Sequence, residues 1–209
     1  MASRNGTPSE DPGKRLAILD QAIRTFAELG YRGADVQVIA DRSGVGKGTV
    51  YRYFHSKEEL FWATTYEVLL RMERHVFLAM DKVEGAWAKL HASAAAYADF
   101  FFASPQYLEL FVQDLAEFRG SGPESHREHR EEMFGRIGEI LRHGIEAGEL
   151  RPVDTRQATF ALGSLLFGAT VLGSHLKLAS VDEITNGAVD IFLQGILADS
   201  SVLTGSEST

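Results

Sequence analysis

The sequence contains no cysteine and no uninterrupted run of 18 apolar residues. Without cysteine there can be no disulfide, no thiolate nucleophile and no cysteine-ligated metal, and redox arguments do not fix a compartment. Without a long apolar run no membrane span is expected. The first residues, MASRNGTPSEDPGKR, are polar and lack the apolar centre of a signal peptide. Together these absences point to a cytoplasmic protein. Strand patterning is nearly missing as well. One further absence is local: from Arg42 to Lys57 there is no acidic residue, while Arg42, Lys47, Arg52 and Lys57 are basic.

What is present is an ordinary globular composition, with 44% hydrophobic and 24% charged residues in 209. That length allows one large core, or a small domain joined to a larger one. The net charge of −8 is unevenly spread: residues 1–60 hold 9 Lys/Arg and 8 Asp/Glu, and the rest hold 12 and 21. A local basic patch can bind phosphates while an acidic remainder suppresses indiscriminate association with nucleic acid. A solvated basic face has the same composition, so the motif around it must decide.

Helical signals run the length of the chain and predict about nine helices. Asp11-Pro12 reads as a cap followed by proline at the first helical position. Leu16, Leu19, Ile23 and Phe26 recur at spacings of three and four, with Ile18, Ala22 and Leu29 widening the stripe, and Gly30 is placed to end the helix. A short helix follows from Asp35 to about Ser43, Gly44 turns the chain, and a third helix begins near Lys47. Ser56-Lys-Glu-Glu59 reads as a capping box for a long fourth helix. Similar starts lie at Asp81–Glu84, Ser104-Pro105, Ser125–Glu128, Asp154–Gln157 and Ser180–Glu183, with a break between Gly148 and Pro152. Residues 1–11 and 199–209 read as disordered tails.

Residues 35–54 have the pattern of two short helices crossing at a tight turn. Val36, Ile39, Ala40, Val45, Val50 and Phe54 form the inner side, with Ala40 small enough for a close crossing. Lys47, Gly48, Thr49, Tyr51, Arg52 and Tyr53 are left outside, a donor-rich face suited to a major groove. The stretch Gly44–Thr49 superficially resembles a phosphate-binding loop. That loop needs glycine where Asp41 stands and Ser/Thr where Gly48 stands. The dinucleotide pattern fails at Thr49, and no strand precedes it.

Residues 15–60, RLAILDQAIRTFAELGYRGADVQVIADRSGVGKGTVYRYFHSKEEL, resemble the DNA-binding domain of TetR-type transcriptional regulators throughout, most specifically in TVYRYF followed by the lysine that opens the fourth helix. The resemblance implies an all-α fold: a three-helix helix-turn-helix domain at 12–60, then a larger ligand-binding and dimerisation domain at 61–198. It implies phosphate or base contacts at Lys47, Gly48, Tyr51, Tyr53 and Lys57, and sequence reading at Thr49 and Arg52. Two departures are Asp35, where the family usually has threonine, and Gly46, where serine or threonine is commoner. Asp35 still caps a helix, but it places a carboxylate near the DNA.

Beyond residue 60 the resemblance is architectural, and the residues themselves must speak. Aromatics are dense, and most are expected in the core. Phe100-Phe101-Phe102 covers about 200° of a helix, so one of the three must face away from the main core. Trp87, Phe101, Phe102, Phe111, Phe118 and Phe167, with His91, Asp114 and His143 as polar handles, are the expected lining of a cavity for a small apolar or amphipathic effector. His126 and His129 have a spacing metals can use, but SHREHREE is a solvated charge run, and no metal or cofactor is expected. Residues 157–176 and 184–197 are apolar on most sides and glycine-rich, as helices buried against a second copy would be.

The expected protein is a homodimeric repressor on a palindromic operator of double-stranded DNA, released by its effector. An activator or ligand-independent regulator would share the same DNA-binding domain. A helical enzyme finds no nucleophile, nucleotide loop or metal cluster in its favour, and an interaction module would show no salt-dependent DNA binding.

Overall fold

The computed structural model describes residues 11–119, 121–176, 180, 183, 187 and 190–196. Among the described residues there are nine helices and no strand: α1 (Pro12–Gly33), α2 (Val36–Arg42), α3 (Lys47–Tyr53), α4 (Lys57–Met80), α5 (Ala86–Ala103), α6 (Pro105–Phe118), α7 (Glu124–Glu146), α8 (Thr155–Leu176) and α9 (Asp190–Ile196). The tails expected at 1–11 and 199–209 lie outside the described residues, except Asp11. So do residues 184–186, 188, 189 and 197 of the last apolar segment.

Contacts divide the chain into two units. One comprises the residues up to Val68 together with Glu109–Gly122, and the other comprises Leu69–Leu108 with the residues from Pro123 onward. The first division falls after Val68, inside α4, and a segment of α6 joins the first unit. The cause is an aromatic cluster within that unit: Phe118 lies 4.9 Å from Tyr31, 5.3 Å from Phe61 and 4.4 Å from Trp62. Gln113 adds a hydrogen bond from Nε2 to the Phe26 carbonyl at 2.9 Å, and Arg32 pairs with Glu117 at 2.8 Å.

In the first unit α1 begins as expected, with the Asp11 carboxylate accepting the Gly13 amide at 2.9 Å. Its buried stripe is Ile18, Leu19, Ala22, Ile23 and Phe26, whereas Leu16 and Leu29 are exposed, which narrows the expected stripe. Gly30 takes a positive φ of 72° and breaks the helix before its last residues. Asp35 caps α2 through the Gln37 amide at 2.8 Å. Gly44, at φ 69°, makes the turn into α3 with a backbone most side chains avoid. Val36, Ile39, Ala40, Val50 and Phe54 are buried, as the two-helix pattern requires, with Val45 half-buried.

The second unit has a core of Ala86, Leu90, Leu141, Leu150, Leu162, Leu166, Leu193 and Ile196, drawn from α5, α7, α8, α9 and the turn after α7. Gly144 permits its closest approach. A Cβ there would stand 2.5 Å from the Ala86 Cβ and 2.8 Å from Leu150 Cδ1. Ser180 and Glu183 exchange bonds at 2.8 and 3.3 Å, with the start of the helix expected after them, residues 184–186, lying outside the described residues. Two start signals act as read: Ser104-Pro105, and Asp154, whose carboxylate accepts the Gln157 amide at 3.0 Å. Two do not. Asp81–Glu84 ends α4 rather than starting α5, since the Asp81, Lys82 and Val83 amides bond back to carbonyls of α4. The helix expected from Ser125 starts at Glu124, after Pro123, with no side-chain cap.

Candidate nucleic-acid interface and apolar cavity

The short helix α3 buries Val50 and Tyr53, and the following Phe54 anchors its end, so the other residues turn outward by helical phase. Gly48, Tyr51 and Arg52 are exposed, and Lys47 and Thr49 are half-buried. Lys47 Nζ lies 3.2 Å from the Asp35 carboxylate. The Arg52 guanidinium stacks 5.6 Å from the Tyr53 ring centroid. Lys57, at the start of α4, donates to the Arg32 carbonyl at 3.1 Å and stands 4.9 Å over the Tyr31 ring. Burial, then Glu58 and Glu117, raises the Tyr31 phenol above its ordinary value.

Tyr53 departs from the expected outward face. It is 7% exposed, and its hydroxyl accepts the Asp11 amide at 3.0 Å. Tyr53 lies three residues after buried Val50, about 300° round the helix, and so turns to the same inner side, while Tyr51 turns outward. The face that α3 offers is therefore Lys47, Gly48, Thr49, Tyr51 and Arg52, continued by Lys57.

The second unit encloses a carbon-lined cavity of about 540 Å³ including its open mouth. Met72, Val76 and Phe77 of α4 form one wall and Tyr97 of α5 another, with Met133, Phe134 and Ile137 of α7 and Leu162, Gly163 and Leu166 of α8 completing it. Burial pushes the Tyr97 phenol above its ordinary value, so it presents a neutral ring there. Glu73 is the charged residue in the lining. It pairs from α7 with Arg136 Nη1 at 2.9 Å and lies 2.7 Å from His129 Nε2, and Arg136 also covers the Phe77 ring.

None of the nine residues expected to line an effector cavity lines this one. Phe111, Asp114 and Phe118 belong to the first unit, where Phe118 packs into the aromatic cluster. Trp87 is exposed and stacked 5.3 Å from His91, whose Nε2 faces Asp190 at 3.5 Å. Phe101 is 2% exposed, held between Tyr97 and Phe100, while Phe102 and Phe167 are half-buried elsewhere. His143 flanks a separate hollow beside Gly85, Lys89 and Glu149. Aromatic density marks packing but not helical phase. The actual lining, rich in methionine and aliphatic residues, carries no signal that separates it from ordinary core. Among the described residues no group of three His, Asp or Glu could hold a metal ion, and no helix is long and apolar enough to cross a membrane.

Residues 18–64 match the family described as bacterial regulatory proteins of the tetR family, and residues 83–170 match the tetracyclin repressor-like C-terminal domain. The chain is 28% identical to the fatty acid metabolism regulator protein of Bacillus subtilis over 88% of its own length and 95% of that protein's. In fold it is similar to the fatty acid degradation regulator FadR of Bacillus halodurans, with a TM-score of 0.78 at 22% identity, covering 88% of this chain and 96% of that one. The transcriptional regulator FadR of Bacillus subtilis, solved in complex with stearoyl-CoA, gives a TM-score of 0.74 at 21% identity, covering 87% and 98%.

Proposed function

Because the chain belongs to the tetR family of bacterial transcriptional regulators, which bind DNA through a helix-turn-helix, we propose that it is a homodimeric repressor released from a palindromic operator by an apolar or amphipathic effector. The observation that carries the reading is the outward face of α3, where Lys47, Gly48, Thr49, Tyr51 and Arg52 stand together on a helix fixed by buried Val50 and Phe54. In a two-fold dimer, two such helices enter successive major grooves when they stand about 34–36 Å apart. Lys47, Tyr51 and Lys57 hold phosphates, and Thr49 and Arg52 read base edges.

The effector's apolar part fills the cavity of the second unit. Met72, Val76 and Phe77 in its wall belong to α4, whose first residues belong to the unit that carries α3. An effector that prefers the α4 position of the DNA-free state releases the operator; one that binds both states equally shifts nothing. The relatives that regulate fatty acid metabolism, one of them solved with stearoyl-CoA, make a long acyl chain the first effector to try. It agrees with a lining that is almost wholly carbon.

The test begins with DNA fragments selected by the purified protein, used in a gel-shift titration at fixed salt. Tyr51→Ala and Lys47→Ala should each weaken binding at least about fivefold, since one lost contact of this kind is worth ~1–3 kcal/mol, while the dimer persists. Adding stearoyl-CoA should release the wild type. Variants that bind as tightly as the wild type would contradict the assigned face, and a complex indifferent to acyl ligands would contradict the effector.

A further inference from the structure

The run from Arg42 to Lys57 holds four cations and no acid, yet the fold brings acids to it. Arg42 Nη1 donates to Glu28 at 2.8 Å, and Lys47 Nζ donates to Asp35 Oδ1 at 3.2 Å. Two of the four positive charges are thus met by carboxylates from outside the run. Asp35 is also fixed in place. The same oxygen accepts the Gln37 amide at 2.8 Å, which anchors the carboxylate at the helix start. The Gln37 amide first, and Lys47 after it, hold the carboxyl below the usual carboxylate range. It is charged wherever DNA binding is measured.

We propose that Asp35 sets the strength of the DNA interface: it neutralises Lys47 at the leading end of α3 and so weakens the hold on phosphates of every duplex, whatever its sequence. The proposal rests on the reading of α3 as the DNA-facing helix. For DNA to use Lys47, the ammonium must leave Asp35 for a phosphate. The carboxylate is then left within a Debye length, about 8–10 Å, of a polyanion. Both effects oppose binding, and neither depends on the bases. Discrimination is left to the side chains that reach base edges, and the grip stays loose enough for an effector of modest differential affinity to break it.

Asp41 supplies the contrast. It is exposed on the same short helix, but its carboxylate accepts the Gln37 side-chain amide at 2.7 Å.

The experiment measures full-length protein binding to two labelled duplexes, one of random sequence and one recovered by selection, over a sodium chloride series. Asp35→Asn keeps an oxygen for the cap while removing the charge. It should bind both duplexes about fivefold more tightly per subunit near ~0.15 M salt, with a plot of log K against log salt steeper by about 0.9 per subunit. The ratio between the two duplexes should not change. In a Lys47→Gln background the gain should fall below about half, and Asp41→Asn should gain less than about twofold. Asp35→Ser, which caps through a hydroxyl, is the second variant should Asn disturb the fold.

Unchanged or weaker binding by folded Asp35→Asn and Asp35→Ser overturns the proposal. So does an undiminished gain without Lys47, or an equal gain from Asp41→Asn. Wild-type protein that binds no duplex in a salt-dependent way removes the interface itself, an outcome recognisable before any variant is made.

Discussion

Tyr53 commits its hydroxyl to the protein, accepting the Asp11 amide at 3.0 Å just before the Asp11 carboxylate caps α1. The bond ties the last turn of α3 to the start of α1. Tyr53→Phe leaves the ring beside Phe54, 6.3 Å away, and removes that bond together with the longer one, 3.4 Å, that the hydroxyl donates to the Asp11 carbonyl. It should cost about 1 kcal/mol, read as a lower urea midpoint at unchanged slope, and weaken operator binding far less than Tyr51→Ala. Unchanged stability with a loss of DNA affinity equal to that of Tyr51→Ala would mean that the hydroxyl serves DNA. This placement was available from spacing, because Tyr53 stands three residues after inward-facing Val50, and residues three apart on a helix share a side. The patterning of Val36, Ile39, Ala40, Val50 and Phe54 also named the inner side correctly. The cavity was a different matter. Met72, Val76 and Phe77 follow the same periodicity as any buried stripe, and whether the space beside them is filled or empty depends on four helices at once.

Helix starts show where local sequence suffices and where it does not. Asp11, Asp35, Ser56 and Asp154 each cap a helix within three residues of themselves, through bonds of 2.8–3.0 Å. Such bonds are written in the local chain. The start of α5 is not. Gly85 precedes it at φ 82° with no side-chain cap, and the carboxylate of Glu149 takes the Ala86 and Trp87 amides at 2.7 and 3.3 Å from 63 residues away. Glu149 can reach because the chain turns after α7 at Gly148, φ 74°, beside the close contact of Gly144 with Ala86. A cap of that origin leaves no signature near α5. Asp81–Glu84 imitates one, but its amides serve α4. Glu149→Ala should lower stability by about 1–2 kcal/mol in urea unfolding, and Glu149→Gln, which still offers an oxygen, should recover most of it. A Glu149→Ala protein as stable as the wild type would show that water caps these amides equally well.

At the scale of the whole molecule, the question is what covers the second unit's apolar outside. On α8 a row at four-residue spacing comprises Phe160, Ser164, Gly168 and Leu172, with Phe160 66% and Leu172 57% exposed. On α9, Ile191 is 73% exposed, and Gly195 follows one turn later. A Cβ added at Gly168 or Gly195 meets nothing within 4 Å. Large side chains in water beside bare glycines are costly in an isolated chain, but they fit a surface that meets its own copy, bulk entering the space the glycines leave. The proposed dimer forms there, and a stable one buries about 1,200–2,000 Å² in total. Phe160→Glu and Ile191→Glu place charges at that surface. Each should convert the dimer to monomer at micromolar concentration in sedimentation velocity, with little change in the helical circular dichroism signal. Leu78→Glu, altering an equally exposed residue on α4 (56%), should leave the dimer intact. Operator affinity should fall with the dimer, because a lone subunit reaches one half-site and loses the linked second contact. If Phe160→Glu and Ile191→Glu sediment as the wild type does, the partner lies on another face, and the glycine-lined row has some other cover.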